Sequence, residues 1–185
     1  MSLADDKTAA RKSAFARRKL ADPIVSGEAN DRLTAAIRAL PGACVAGYWP
    51  IRTEIDPRPT LHALSGTYDL CLPMVVADDT PLVFRRWRPD AAMTANAFGT
   101  SIPLDPKELT PDILIVPLAA FDAAGFRLGY GGGFYDRTLE QLRARINITA
   151  IGFAYDTQET DHVPREVTDQ PLDMIVTESR TLTPV

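Results

Sequence analysis

The chain has 185 residues, 45% hydrophobic and 24% charged. That length and mix suit a single domain spanning 1–185 and exclude disordered and low-complexity classes. Twenty Lys and Arg against 24 Asp and Glu leave a formal charge of −4, so nonspecific attraction to nucleic acid or to an anionic membrane is not expected.

No apolar run approaches the roughly 18 residues of a membrane span. The N-terminal stretch alternates charges with alanines instead of offering a secretory core, so a soluble cytoplasmic protein is expected. Met1–Ala21 reads as a helix capped by Ser2, with Asp5 and Asp6 at its positive end and Arg17, Arg18 and Lys19 at its negative end; Pro23 stops it. A second helix is predicted from about Ser26 to Leu40, where Ala29, Leu33, Ala36, Ile37 and Leu40 recur at spacings of three and four before Pro41-Gly42.

From Ala43 the period changes. Ala43–Trp49, Tyr68–Val76, Asp112–Leu118, Thr149–Tyr155 and Asp173–Thr177 are apolar at consecutive positions, the pattern of strands covered on both faces. A parallel or mixed sheet follows. Cys44 and Cys71 sit inside two of these runs and read as small core residues, with no need for a disulfide. Leu82–Trp87 adds a hairpin strand after the turn at Asp78-Asp79. Pro59–Leu64, with Pro59 at its first position, and Phe134–Arg145 are predicted helices. Arg88–Pro111 holds four prolines without a clear period and reads as a long ordered loop or lid. His62 and His162 lie far apart with no cysteine cluster beside them, which speaks against a zinc site.

The most informative segment is Asp122–Arg137. Gly129, Gly131, Gly132 and Gly133 place four glycines within five residues between a strand and a helix. Such a backbone can turn several N–H groups toward one point at a helix N-terminus, where an anion is favoured. Arg127 can add a bidentate contact. A tight turn without a ligand is the alternative. Two familiar fingerprints fail: a dinucleotide motif starting at Gly129 needs glycine where Phe134 stands, and the Gly-Lys-Ser/Thr of a P-loop is missing. Asp136 follows directly. A carboxylate beside phosphate repels it unless a divalent cation such as Mg²⁺ lies between, although a first-turn acidic residue also stabilises its own helix.

Asp112–Pro117, Phe121-Asp122, Gly125 and Arg127–Arg137 together resemble the signature of the 5-formyltetrahydrofolate cyclo-ligase family. Tyr48–Asp56, Leu72-Pro73, Phe98–Pro103 and the stretch from Gly152 through Gln158 to Asp169 and Asp173 match in the family's order. The resemblance implies a three-layer α/β/α fold with a mostly parallel sheet, like that of sugar-phosphate isomerases and CoA transferases. It also implies ATP-dependent closure of 5-formyltetrahydrofolate to 5,10-methenyltetrahydrofolate. In that reaction the γ-phosphoryl group passes to the formyl oxygen, N10 attacks the resulting imino-phosphate, and ADP and phosphate leave. Positioning and charge neutralisation then carry the catalysis.

By the same resemblance, Lys7 and Arg11 contact ATP phosphates, as do Arg127, Leu128, Gly129, Tyr130, Gly131, Gly132, Gly133, Phe134 and Tyr135. Tyr130–Phe134 also border the folate, with Trp49, Glu54 and Phe98. Asp136 and Asp169 hold Mg²⁺, and Arg127, Tyr135 and Asp136 form the catalytic group. Phe134 stands where tyrosine is frequent, and Gly132 replaces a lysine of some members, a charge that Lys7 and Arg11 would supply. Two other functions fit the residues: a folate-binding protein that consumes no nucleotide, and a sugar-phosphate or CoA-type enzyme using Glu54 as base or nucleophile. The expected partners are small molecules, and the chain is expected to act as a monomer.

Overall fold

Apolar runs that do not alternate require cover on both faces, and the fold supplies it. The structure, a computed structural model, describes residues 2–96 and 100–184. Its helices are α1 (Leu3–Arg18), α2 (Ser26–Arg38), α3 (Arg58–Leu64) and α4 (Phe134–Arg143). Its first strands are β1 (Cys44–Ala46), β2 (Asp69–Met74), β3 (Val83–Arg86), β4 (Met93–Ala95), β5 (Ser101–Pro103) and β6 (Ile113–Pro117). β7 (Ala120–Phe121), β8 (Arg127–Leu128), β9 (Thr149–Phe153), β10 (Met174–Val176) and β11 (Thr181–Leu182) complete the set.

Seven strands form the central sheet in the order β11-β10-β9-β6-β1-β2-β3. The five inner strands run parallel, and β3 and β11 close the edges antiparallel. β6 shows the reason for its unbroken apolar run. Ile113 and Ile115 join the core under α2 and α3 with Leu33, Ile37, Leu61 and Leu64, while Leu114 and Val116 join the opposite core with Leu139 of α4. The three-layer α/β/α arrangement with a mostly parallel sheet is therefore as the sequence implies. A third, smaller cluster of Ala14, Ala119, Ala120, Leu128 and Val163 seats α1 beside the β7–β8 hairpin.

Two aspartates help to set the parallel register. Asp112 accepts the backbone N–H of Ala43 at 3.0 Å and of Cys44 at 3.2 Å, and Asp173 accepts that of Ala150 at 2.7 Å. Each carboxylate satisfies donors at the start of a neighbouring strand, where the ladder has not yet begun. Asp122, fully buried, likewise accepts from Ala124, Phe126 and Val163 and shapes the β7–β8 turn.

Several boundaries differ from the sequence reading. The strands are shorter than the apolar runs, because Tyr48, Leu118, Ala154 and Tyr155 stay buried after the ladder has ended. α1 stops at Arg18, three residues short of the expected Ala21, and the stretch at Pro23 itself forms a 3₁₀ turn (Pro23–Val25). α3 begins at Arg58, so Pro59 is its second residue. Arg88–Pro111 is not an uninterrupted loop: β4 and β5 pair antiparallel inside it, with Met93 opposite Pro103. Cys44 and Cys71 are free thiols with their sulfurs 4.0 Å apart. Among the described residues no helix is long and apolar enough to cross a membrane.

Candidate active site

Parallel strands present their carboxyl ends to one edge, and β1, β2 and β6 there deliver Tyr48, Trp49, Pro73 and Pro117 to a cavity of about 850 Å³. The Gly129–Gly133 bend forms one wall. Gly131 has φ +105° and Gly133, which caps α4, has φ +66°. A side chain at Gly131 would also press on the Arg11 guanidinium, 3.3 Å from where its Cβ would lie. None of the backbone N–H groups from Gly129 to Gly133 has an acceptor among the described residues. Two of the carbonyls are held instead: Arg11 Nε donates to Gly129 O at 3.0 Å, and Arg137 Nη2 donates to Gly132 O at 2.8 Å. A row of unsatisfied amides beside the first turn of a helix makes a concavity for an anion.

Arg127 and Asp136 are bound to each other at the base of this wall. Arg127 Nη2 donates to Asp136 Oδ1 at 2.8 Å and Nη1 donates to Gln170 O at 2.6 Å; the same Asp136 oxygen accepts the Gln170 N–H. The buried guanidinium is thus committed to joining β8, α4 and the 170 segment. Across from them, Lys7 Nζ reaches Asp169 Oδ2 at 2.7 Å, and that oxygen also accepts the Glu166 N–H. Asp136 Oδ2 and Asp169 Oδ1 have no hydrogen-bond donor among the described residues. Among those residues, no group of three or more His, Cys, Asp or Glu gathers into a metal cage.

The opposite wall is built by side chains. Glu54 follows the turn after β1 and accepts the Ile51 N–H at 2.8 Å. Burial pushes its carboxyl above the ordinary range, while the Ile51 N–H, the Arg18 and Arg52 charges and the Tyr130 hydroxyl pull the other way. Burial also raises the Tyr135, Tyr130 and Tyr48 phenols, with Glu54 adding to each shift. All three phenols are therefore neutral donors at physiological pH. Tyr48 spends its proton on Ile55 O at 2.6 Å. Trp49 lies under the Arg58 guanidinium, 4.7 Å from the ring centre.

The fold therefore brings Lys7, Arg11, Trp49, Glu54, Arg127, Leu128, the Gly129–Tyr135 segment, Asp136 and Asp169 onto one cavity. Phe98 lies outside the described residues; Thr100, just after it, lines the same cavity. Reading the sequence missed Arg18, Arg52 and Arg137. Arg18 reads in sequence as a charge at the helix end, but it is buried and directed at Tyr130. Its spacing from Lys7, eleven residues, or about three helical turns, carried the signal. Arg52 stands at φ +55° on the cavity rim, its guanidinium 6.0 Å from the Tyr130 ring centre.

The model of the 5-formyltetrahydrofolate cyclo-ligase family matches residues 6–178. A 5-formyltetrahydrofolate cyclo-ligase of Mycolicibacterium smegmatis is 30% identical over 178 residues, 89% of each chain. One from Haemophilus influenzae is 45% identical over 96 residues, 49% of this chain, so that match spans about half (51%) of the relative's length. Among solved structures, the Aquifex aeolicus 5,10-methenyltetrahydrofolate synthetase superposes with TM-score 0.78 at 29% identity, covering 96% of this chain and 92% of its own. A 5,10-methenyltetrahydrofolate synthetase from Mycoplasma pneumoniae gives 0.72 at 26% identity, covering 92% and 98%. With the family's pattern matched along nearly the whole chain and its glycine bend in place on the cavity wall, the chain belongs to the 5-formyltetrahydrofolate cyclo-ligase family.

Proposed function

We propose that this protein closes 5-formyltetrahydrofolate to 5,10-methenyltetrahydrofolate with hydrolysis of ATP to ADP and phosphate. The observation that carries the reading is the row of amides from Gly129 to Gly133, without acceptors among the described residues, on a cavity of about 850 Å³ whose other wall holds Glu54, Tyr130 and Trp49. A formyl amide is a poor electrophile, and its oxygen is a poor leaving group. Moving the γ-phosphoryl group onto that oxygen gives N10 of the folate a carbon it can attack and lets phosphate depart. The residues that do this work bind and orient: the bend and Arg11 hold the polyphosphate, Lys7 reaches the same anion, and Tyr135 donates from its neutral phenol. Glu54 accepts from the pterin, with Trp49 and Phe98 bordering it.

The donor set suits Mg²⁺, which takes one or two carboxylates and completes its shell with phosphates and water. Asp136 and Asp169 each keep one oxygen clear of donors among the described residues, and together they would hold the ion against the phosphates. Bound there, Mg²⁺ would neutralise charge on the transferring phosphoryl group. A soluble cytoplasmic monomer acting on small molecules completes the reading. The test is direct: purified protein, 5-formyltetrahydrofolate, Mg²⁺ and ATP should produce the ultraviolet absorption of the methenyl product, and omission of ATP should abolish it. Absence of product with ATP would reject the enzyme.

A further inference from the structure

Arg18 is 2% exposed, yet it forms no ion pair among the described residues. A buried guanidinium without a carboxylate needs acceptors from its surroundings, and each of its three nitrogens finds one. Nε donates to Thr53 Oγ1 at 2.9 Å, Nη1 to Leu118 O at 3.3 Å, and Nη2 to the Tyr130 hydroxyl at 2.7 Å. The rings of Phe15 and Tyr130 flank it at 5.3 and 5.6 Å. Because Tyr130 accepts from Arg18, its own proton is left for the Glu54 side, where the two groups sense each other.

Lys7, Arg11 and Arg18 project from one face of α1. Along that face the helix touches Asp169, then Gly129 O, then the hydroxyl of the next residue, Tyr130. Its apolar attachment is the small cluster around Ala14, with Ala10 and Phe15 partly buried against it. Polar contacts add to that seat, two of them at the phosphate wall and one at the Tyr130 hydroxyl.

We propose that Arg18 is a positioning residue that couples nucleotide binding to folate binding, transmitting the seating of α1 on the polyphosphate into the placement of the Tyr130 hydroxyl. This rests on the cyclo-ligase reading. By reciprocity, each ligand then tightens the other by the same factor. Affinity for 5-formyltetrahydrofolate, measured by calorimetry with and without a non-hydrolysable ATP analogue and Mg²⁺, should improve several-fold in the wild type and be unchanged by nucleotide in Arg18→Met. In turnover, Arg18→Met and Tyr130→Phe should each raise the folate KM roughly tenfold through loss of the charge-assisted Arg18–Tyr130 bond that both delete, and the double variant should be no worse than either. A helix anchor without coupling would instead give additive losses and leave the nucleotide effect intact, which would overturn the proposal. Should Arg18→Met fail to fold, Tyr130→Phe deletes the same bond from the exposed side; undiminished coupling there is equally fatal. Wild-type protein that makes no methenyl product would sink the function itself, whereas wild-type turnover with unaltered variants would sink only the role of Arg18.

Discussion

The two walls of the cavity are made of different material. The Gly129–Gly133 wall is backbone: its amides have no acceptor among the described residues, its Gly129 and Gly132 carbonyls are held by Arg11 and Arg137, and two of its glycines have positive φ. The facing wall is side chain: Glu54, Trp49 and Tyr48 project from the end of β1 and its loop, and Arg18 of α1, buried behind the cavity, bonds the Tyr130 hydroxyl. A backbone wall suits a ligand recognised by charge and shape, as a polyphosphate is. A side-chain wall suits a ligand with its own pattern of donors and acceptors, as a pterin is.

That division predicts separable kinetic signatures, the largest at Asp136. Asp136→Ala removes the carboxylate proposed for Mg²⁺ and the partner of the buried Arg127. Turnover should fall roughly a hundred- to a thousandfold, the scale of losing a preorganised charge in the transition state. Folate affinity, measured without ATP, should stay within about threefold, since uniform binding is untouched. Equal loss in both would show that Arg127–Asp136 supports the whole site and that the walls are not independent. Gly131→Ala comes next. Alanine at φ +105° is strained and its Cβ would crowd Arg11, so kcat/KM for ATP should drop about a hundredfold through misplacement of the bend. Stability should fall by only about 1–3 kcal/mol, read from the shift in Tm. A normal KM for ATP would break the assignment of the backbone wall to phosphate.

The same contrast explains what could be read from the sequence. The bend was legible because glycine is itself the conformational instruction: Gly131 and Gly133 occupy backbone that other residues enter with strain. The buried sheet was legible because Ile113–Val116 feed two cores at once. The side-chain wall was less so. The end of a surface helix is the ordinary setting for an arginine, and only the packing of α1 beside β7 and β8 turns Arg18 inward. The β4–β5 and β7–β8 hairpins escaped notice because two- and three-residue strands carry no usable period, and their pairing depends on partners brought in by the fold. Asp112 and Asp173 looked like parts of a motif, but their carboxylates work on the neighbouring strand's amides.

On the side-chain wall, Glu54→Gln should raise the folate KM roughly tenfold, the value of one bond to a charged acceptor, with little effect on ATP. Its stability effect has a definite sign. Burial is the main cause raising the Glu54 carboxyl in the folded state. Below the unfolded value both states hold the proton and there is no cost; as pH rises through the folded value, the buried site is forced to ionise and stability is lost. Glutamine stays neutral throughout. The Tm of Glu54→Gln minus that of wild type should therefore increase as pH rises above the ordinary carboxylate range and level off once Glu54 is ionised in the folded state as well. A difference that shrinks with pH would mean that Arg18 and Arg52 outweigh burial.

The smallest effect belongs to Lys7, at the seam between the walls. Its ammonium contacts Asp169 at 2.7 Å and Glu166 at 3.4 Å, with 12% of the lysine side chain and 19% of the Asp169 side chain exposed. Such a contact near the surface contributes on the order of 1 kcal/mol or less, so Lys7→Ala should barely move Tm. Its proposed role with ATP is different, because there the ammonium would meet a polyanion rather than one carboxylate. Loss of that attraction should raise the KM for ATP several-fold at low salt. Raising the ionic strength to about 1 M shortens the screening length to about 3 Å. The wild-type KM should then climb toward that of Lys7→Ala, while the variant responds less. A salt response equal in the two proteins would place Lys7 with Asp169 alone, leaving the bend and Arg11 to hold the phosphates.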